Sequence, residues 1–179
     1  MATAPSLPSV SEDDYFEDGL WAEFEYVNGT LVPRNIGSRD HARMVSRIDQ
    51  LLGHYPQIQA YAGFVLSIPW RNTYRVPDIC CYPADVDPAE TLENQPPPLA
   101  IFEVQSKTDT LSNMVEKCDE YHRLGVLHVF IVDPAQLAVL VREGKGLPAK
   151  DTDIEFGAAD WQVVIGLADL FKGFPGSAL

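Results

Sequence analysis

The stretch Ala100-Ile101-Phe102-Glu103-Val104-Gln105-Ser106-Lys107, AIFEVQSK, decides the fold. Its apolar, aromatic and β-branched residues predict a strand. At a period of two, Ile101, Glu103, Gln105 and Lys107 share one face, and Phe102 and Val104 share the other. An edge strand in water tolerates a glutamate in its middle. A central strand does not, because burying an unpaired carboxylate is costly. What Glu103 does therefore depends on where this strand sits.

The flanking sequence bears on that position. Asn113 and Glu116 have capping-box spacing for a helix that ends near Gly125. Val126–Val132 is apolar almost throughout, as suits a strand buried on both faces, and Asp133-Pro134 stops it. Leu137–Val141 predicts another strand. The AIFEVQSK strand is central if the helix crosses over to bring Val126–Val132 alongside. Upstream, Asn28-Gly29 between FEYV and TLV predicts a two-residue hairpin. Ser38 or Asp40 caps a helix running to about Leu52. Its apolar positions Met44, Val45, Ile48, Leu51 and Leu52 lie on one face, and Gly53 ends it. Gln59–Ile68 and Tyr74–Tyr82 predict two strands, and Asp85–Pro98 a loop. The tail Trp161–Phe174 closes the core in a way the pattern does not specify. This order gives an α/β or α+β fold, a mixed central sheet flanked by helices with an N-terminal β-hairpin. Residues 15–179 form one domain behind a flexible lead, residues 1–14.

The formal net charge is -13, which argues against a protein that coats DNA or anionic lipid through bulk charge. Any nucleic-acid surface must be a local patch. Arg39, Arg43 and Arg47 recur every four residues and form one helical stripe, either DNA-facing or merely solvated. Arg34, Arg71 and Arg75 are further candidates. No apolar run is long enough to span a membrane, and the N-terminus lacks the pattern of a secretion signal. Three cysteines make no disulfide framework and fit a reducing cytoplasm. The four histidines show no zinc-ligand spacing with them. Walker, dinucleotide-binding and GxSxG motifs are absent.

A second acid occupies a setting like that of Glu103. In Tyr74-Arg75-Val76-Pro77-Asp78-Ile79-Cys80, Pro77 marks an edge or a bulge, and a bulge re-aims the side chain that follows it, Asp78. If the two strands neighbour each other, Asp78 and Glu103 meet at one end of the sheet. Two close carboxylates repel unless a proton or cation sits between them, and oxygen ligands favour Mg²⁺ or Mn²⁺. Lys117 lies on the following helix, where early residues can lean back over the acids. Tyr121 falls on the same helix face, four residues on.

FEYVNGTLVPR, RVPDICCYP and PPPLAIFEVQSKTDTLSNMVEKCDEYHRLGVLHVFIVDP together resemble the Uma-type restriction-endonuclease family, within the PD-(D/E)XK nuclease superfamily. The resemblance runs from about Tyr15 to the end. It implies an αβββαβ restriction-endonuclease-like core and metal-dependent hydrolysis of DNA phosphodiesters. It assigns Asp78 and Glu103 as catalytic acids and metal ligands, Lys117 as the catalytic lysine moved to the helix, and Glu25 as the acid of the N-terminal segment. Gln105 occupies the superfamily's usual lysine position, and Lys107, on the same strand face, competes with Lys117 for that role. The analogy with nucleases that cut both strands suggests a homodimer. The alternative is an inactive interaction or regulatory module that keeps the fold. Net acidity and Gln105 favour the module, and the retained Asp78, Glu103 and Lys117 oppose it.

Overall fold

The computed structural model, which describes residues 9–34, 38–88, 92, 95–107, 109–142 and 146–177, places AIFEV inside a sheet rather than at its edge. In chain order the elements are α1 (Glu12–Glu17), β1 (Phe24–Val27), β2 (Thr30–Pro33), α2 (Arg39–Leu52), β3 (Ile58–Ala62), β4 (Leu66–Ile68), β5 (Thr73–Arg75) and β6 (Ile79–Pro83). There follow β7 (Ala100–Val104), α3 (Leu111–Leu124), β8 (His128–Asp133), β9 (Ala138–Val141), β10 (Ala149–Lys150), β11 (Ile154–Ala158), β12 (Trp161–Ile165) and α4 (Leu167–Phe171). The main sheet has the order β10-β9-β8-β7-β6-β3, and a smaller one the order β2-β1-β5-β4. Only β7 and β8 are parallel among the pairs of the main sheet, with α3 as their crossover. All five residues of β7 are buried.

The hairpin forms as the sequence predicts. Asn28 and Gly29 have φ of 50° and 81°, the left-handed pair that a tight two-residue turn requires. The two long strands expected over Gln59–Ile68 and Tyr74–Tyr82 each break in two. β3 pairs with β6 in the main sheet, and β4 pairs with β5 in the small one. The pairings Ala62↔Ile79 and Leu66↔Arg75 keep one register through the break. This is a single antiparallel ribbon bent between two sheets. Gly63, at φ 67°, supplies the bend on one side, and Pro77 interrupts the ladder on the other. The bulge expected at Pro77 is absent, because each side contributes the same number of residues and a bulge would add one to one side.

Two further expectations change. The cap of α3 is Thr110, whose side chain accepts from the Asn113 N–H, so Asn113 sits inside the first turn. Thr110 accepts with the helix start three residues earlier than the capping-box reading placed it. Residues 9–14, expected within the flexible lead, are mostly exposed but are tied down by hydrogen bonds and begin α1. Ser11 caps α1, Tyr26 donates to the Val10 carbonyl at 3.1 Å, and Tyr74 donates to Glu12. Buried Tyr15 anchors this segment beneath the small sheet. The rest of the lead, residues 1–8, and residues 89–91, 93 and 94 of the Asp85–Pro98 loop lie outside the described residues.

The main sheet divides the core. One face packs Phe102, Val104, Phe130 and Val132 against Met44, Ile48 and Leu52 of α2. The tail covers the rest of it, with Phe156 and Val163 from the β11-β12 hairpin and Leu170 from α4. The other face packs Cys80, Tyr82, Ile101 and Ile131 against Met114, Cys118 and Tyr121 of α3. Cys80, Cys81 and Cys118 are buried free thiols. Among the described residues no helix is long and apolar enough to cross a membrane.

Candidate active site

The register of β6 and β7 brings the two acids together. Cys80 pairs with Ile101 and Ile79 with Phe102, so one step further along the same register Asp78 lies opposite Glu103. Side chains alternate along a strand, and Ile101 belongs to the α3 face, which Glu103 shares. Asp78 lies just beyond the end of β6 and lines the same cleft as Glu103. Asp78 sits at the ribbon's bend, where strand pairing gives way to a side-chain bond. Its Oδ2 accepts the Val104 N–H at 2.7 Å and lies 3.1 Å from His41 Nε2.

Helix α3 supplies the partners of Glu103. Lys117 and Tyr121 are four residues apart and face the sheet together. Tyr121 donates to Glu103 Oε1 at 2.6 Å, and Lys117 Nζ lies 3.4 Å from the same oxygen. Lys117 Nζ also pairs with Glu25 Oε1 at 2.9 Å. Glu25 reaches in from β1, where it accepts the Val76 N–H and binds Arg75 at 2.9 Å. Arg75 then binds Glu120 at 2.7 Å, and Arg71 bridges Glu120 and Glu116. The chain of charges ties the small sheet to α3. Its inner members, Glu25, Arg75 and Glu120, are buried and paired on both sides, as buried charges must be.

Asp78, Glu103, Lys117, Glu25, Arg75 and His41 line a cleft of about 230 Å³. One wall is the β1-β2 hairpin with Val32 and Arg34; the opposite wall is the start of α3 with Asp109 and Asn113. Burial raises the Glu103 carboxyl, the Lys117 charge lowers it, and the charges of Asp78 and Glu25 add to the rise, giving a pKa of about 7. Burial also pushes Glu25 upward, but Lys117 and Arg75 outweigh it and hold its carboxyl below the ordinary value. Burial works to deprotonate Lys117, yet the charges of Glu103 and Glu25 prevail and its pKa is raised. Burial likewise lowers His41, and the bond and charge of Asp78, with Glu103 and Asp109, more than reverse that.

The donor set fits a hard divalent cation. Asp78 and Glu103 offer carboxylate oxygens at one cleft, and Val104 lines it beside them. No group of three His, Cys, Asp or Glu side chains suited to a metal forms among the described residues. Water must complete the shell of any ion held there, which suits Mg²⁺, an ion that dehydrates reluctantly.

Asp78, Glu103, Lys117 and Glu25, singled out in the sequence, converge here. Gln105 does not line the cleft; its N–H bonds the Val132 carbonyl, and its buried Oε1 has no hydrogen-bond partner among the described residues. Lys107 is exposed and also outside the cleft. The arginine stripe lies elsewhere. Arg43 stacks over Phe174 at 4.6 Å, Arg47 donates to the Lys172 carbonyl, and Arg39 is exposed. Arg75, a candidate DNA-facing charge, is buried between two glutamates instead. His41 is the site residue that sequence reasoning missed. The available signal was its spacing: it precedes Met44, Ile48 and Leu52 on the apolar stripe of α2 and is itself buried. A titratable residue on a core stripe needs a partner.

In comparison with known proteins, no curated protein matches. Among solved structures, the chain is similar to one titled a putative nuclease belonging to DUF820, from Anabaena variabilis ATCC 29413. The match has a TM-score of 0.63 and 18% identity, and covers 83% of this chain and 89% of that one. At that identity the likeness establishes the fold. Residues 14–152, well over half the chain, match the family described as "Uma2: Putative restriction endonuclease". Matched over that span, the chain belongs to the Uma2 family.

Proposed function

We propose that the protein is a divalent-metal-dependent nuclease that hydrolyses DNA phosphodiester bonds. The observation that carries this reading is Asp78 opposite Glu103 at the cleft, with Lys117 held between Glu103 and Glu25. Asp78 and Glu103 would hold Mg²⁺ or Mn²⁺, and the ion when bound supplies Lewis acidity and a more acidic water. Glu25 holds Lys117 at the cleft, while Arg75 balances the charge of Glu25 from behind. Lys117, with its side chain one-quarter exposed (25%), then presents a fixed positive charge to an incoming phosphate. Tyr121 fixes the orientation of Glu103. Arg34, which lines the cleft and donates to the Trp21 and Ala22 carbonyls, would supply a further positive charge to a neighbouring phosphate. Two copies of such a site in a homodimer would serve both strands of a duplex, and three unpaired thiols suit a reducing cytoplasm.

The inactive-module reading draws support from the net charge of -13 and from the commitment of Lys117 and Arg75 to carboxylates. End-labelled single- and double-stranded DNA, incubated with Mg²⁺ or EDTA, separates the two. The nuclease reading expects Mg²⁺-dependent products that fall about 10²–10³-fold or more in Asp78→Asn. It expects a comparable loss in Lys117→Ala and little change in Lys107→Ala. Metal binding is read independently by melting. An ion that binds only the folded state adds about 2.7 kcal/mol at a hundredfold excess over Kd. Mn²⁺ should therefore raise Tm by several degrees in the parent protein and not in Asp78→Asn. Neither products nor a shift in the parent would leave the module reading standing.

A further inference from the structure

We propose that His41 is a positioning residue that selects the cation: by engaging one oxygen of Asp78 it biases the site toward small octahedral ions, Mg²⁺ or Mn²⁺, and against Ca²⁺. The proposal rests on the metal-dependent reading above and assigns a residue to its ion specificity.

The geometry is specific to one oxygen. His41 Nε2 lies 3.1 Å from Asp78 Oδ2. An ionised carboxylate only accepts, so the proton of this bond is on Nε2. The Val104 N–H donates to the same Oδ2 at 2.7 Å. Two protein donors thus occupy Oδ2, while Oδ1 has no hydrogen-bond donor among the described residues. Asp78 is left with one oxygen for a ligand.

That asymmetry discriminates between ions. Ca²⁺ gathers about six to eight oxygens and often takes a carboxylate by both. Mg²⁺ needs near-octahedral geometry, keeps several waters and is served by single oxygens. A carboxylate restricted to one oxygen meets the second requirement and fails the first.

The imidazole is held in place by the fold. His41 is in the first turn of α2, and its own N–H donates to the cap residue Ser38 at 3.0 Å. Met44, Ile48 and Leu52 continue its face into the core, so the helix cannot turn without exposing them. His41 is buried, and its ring bond to Asp78 offsets the cost of burying a polar group there. Outer-shell donors of this kind orient ligands, and their loss typically changes metal affinity by about 10–100-fold.

The test is metal binding without DNA, by calorimetry and melting with Mn²⁺, Mg²⁺ and Ca²⁺, on the full chain. The parent protein should prefer Mn²⁺ to Ca²⁺. His41→Phe, which removes the donor, should narrow that preference by about tenfold or more. His41→Asn, polar but too short to reach Oδ2, should do the same and provides the measurement if the Phe variant does not fold. His41→Gln, whose longer amide retains a donor, should stay near the parent. A purely structural His41 would lower all three affinities together and leave the ratio unchanged. An unchanged Mn²⁺/Ca²⁺ ratio in a folded donor-less variant overturns the proposal alone. A parent that binds none of the three ions overturns both this proposal and the metal-dependent reading.

Discussion

Strand β7 has two faces of opposite chemistry. Toward α2 it presents Ala100, Phe102 and Val104, packed on Phe130, Val132 and Phe156. Toward α3 it presents Ile101 and Glu103, and Glu103 opens onto a buried network of acids and bases. The apolar face gains from every methylene it buries, so its contribution is to stability. The polar face gains little from its ion pairs, because desolvation offsets their attraction. It holds charges where water would otherwise screen them. The difference teaches that a single strand can anchor the core with alternate residues and hold a charged network with the others.

The largest expected effects come from adjacent residues. Glu103→Gln should reduce any metal-dependent cleavage by about 10²–10³-fold or more, with folding stability changed by about 1 kcal/mol or less. Phe102→Ala should do the opposite, costing about 3–5 kcal/mol of stability while leaving activity per folded molecule largely intact. Denaturant melts and single-turnover assays on the two variants read this directly. A Glu103→Gln protein that loses stability as Phe102→Ala does would erase the distinction between the faces.

Arg75 tests whether the polar face depends on its pairing. Arg75→Ala leaves Glu25 and Glu120 buried without their shared cation and should cost about 3–5 kcal/mol. Arg75→Lys should recover only part of this, since an ammonium lacks the fork that serves both carboxylates. Full recovery by lysine in the denaturant melt would mean that net charge alone, without geometry, holds the network.

The smallest effect belongs to His128, the ionisable group at the rim of the apolar face, stacked near Phe130. Burial, with the His122 charge nearby, holds its pKa below the ordinary 6.5. The unfolded chain therefore takes up this proton first as pH falls. The contribution is fully present above about pH 6.5 and is lost as pH drops toward the folded value. His128→Gln should flatten Tm against pH in that window relative to the parent. An unchanged slope would show that the rim is wetter than the packing implies.

Much of this arrangement was legible in the chain. The Asn28-Gly29 turn and α2 follow from local signals and periodicity, and the central placement of β7 followed once α3 crossed over to bring β8 alongside. The bent ribbon was not, because Gln59–Ile68 and Tyr74–Tyr82 each carry enough β-propensity to pass for one strand. Only their outer neighbours, β7 beside β6 and β1 beside β5, divide the one ribbon between two sheets. Periodicity places Arg43 and Arg47 on one helix face, but it does not say that Phe174 and the Lys172 carbonyl of the C-terminal segment meet them there.

The sequence by itself determined the types of group available: two acids on consecutive strand segments, a lysine on the next helix, and an acid beside the hairpin turn. Those follow from local spacing, which backbone geometry converts to a face and a direction. Tertiary structure alone decided which groups meet. Glu25 with Lys117, Arg75 with Glu25 and Glu120, and His41 with Asp78 are contacts between segments far apart in the chain. They form because a charge or imidazole removed from water must find a partner, and the partner is whatever the packing of two sheets and α3 brings within reach.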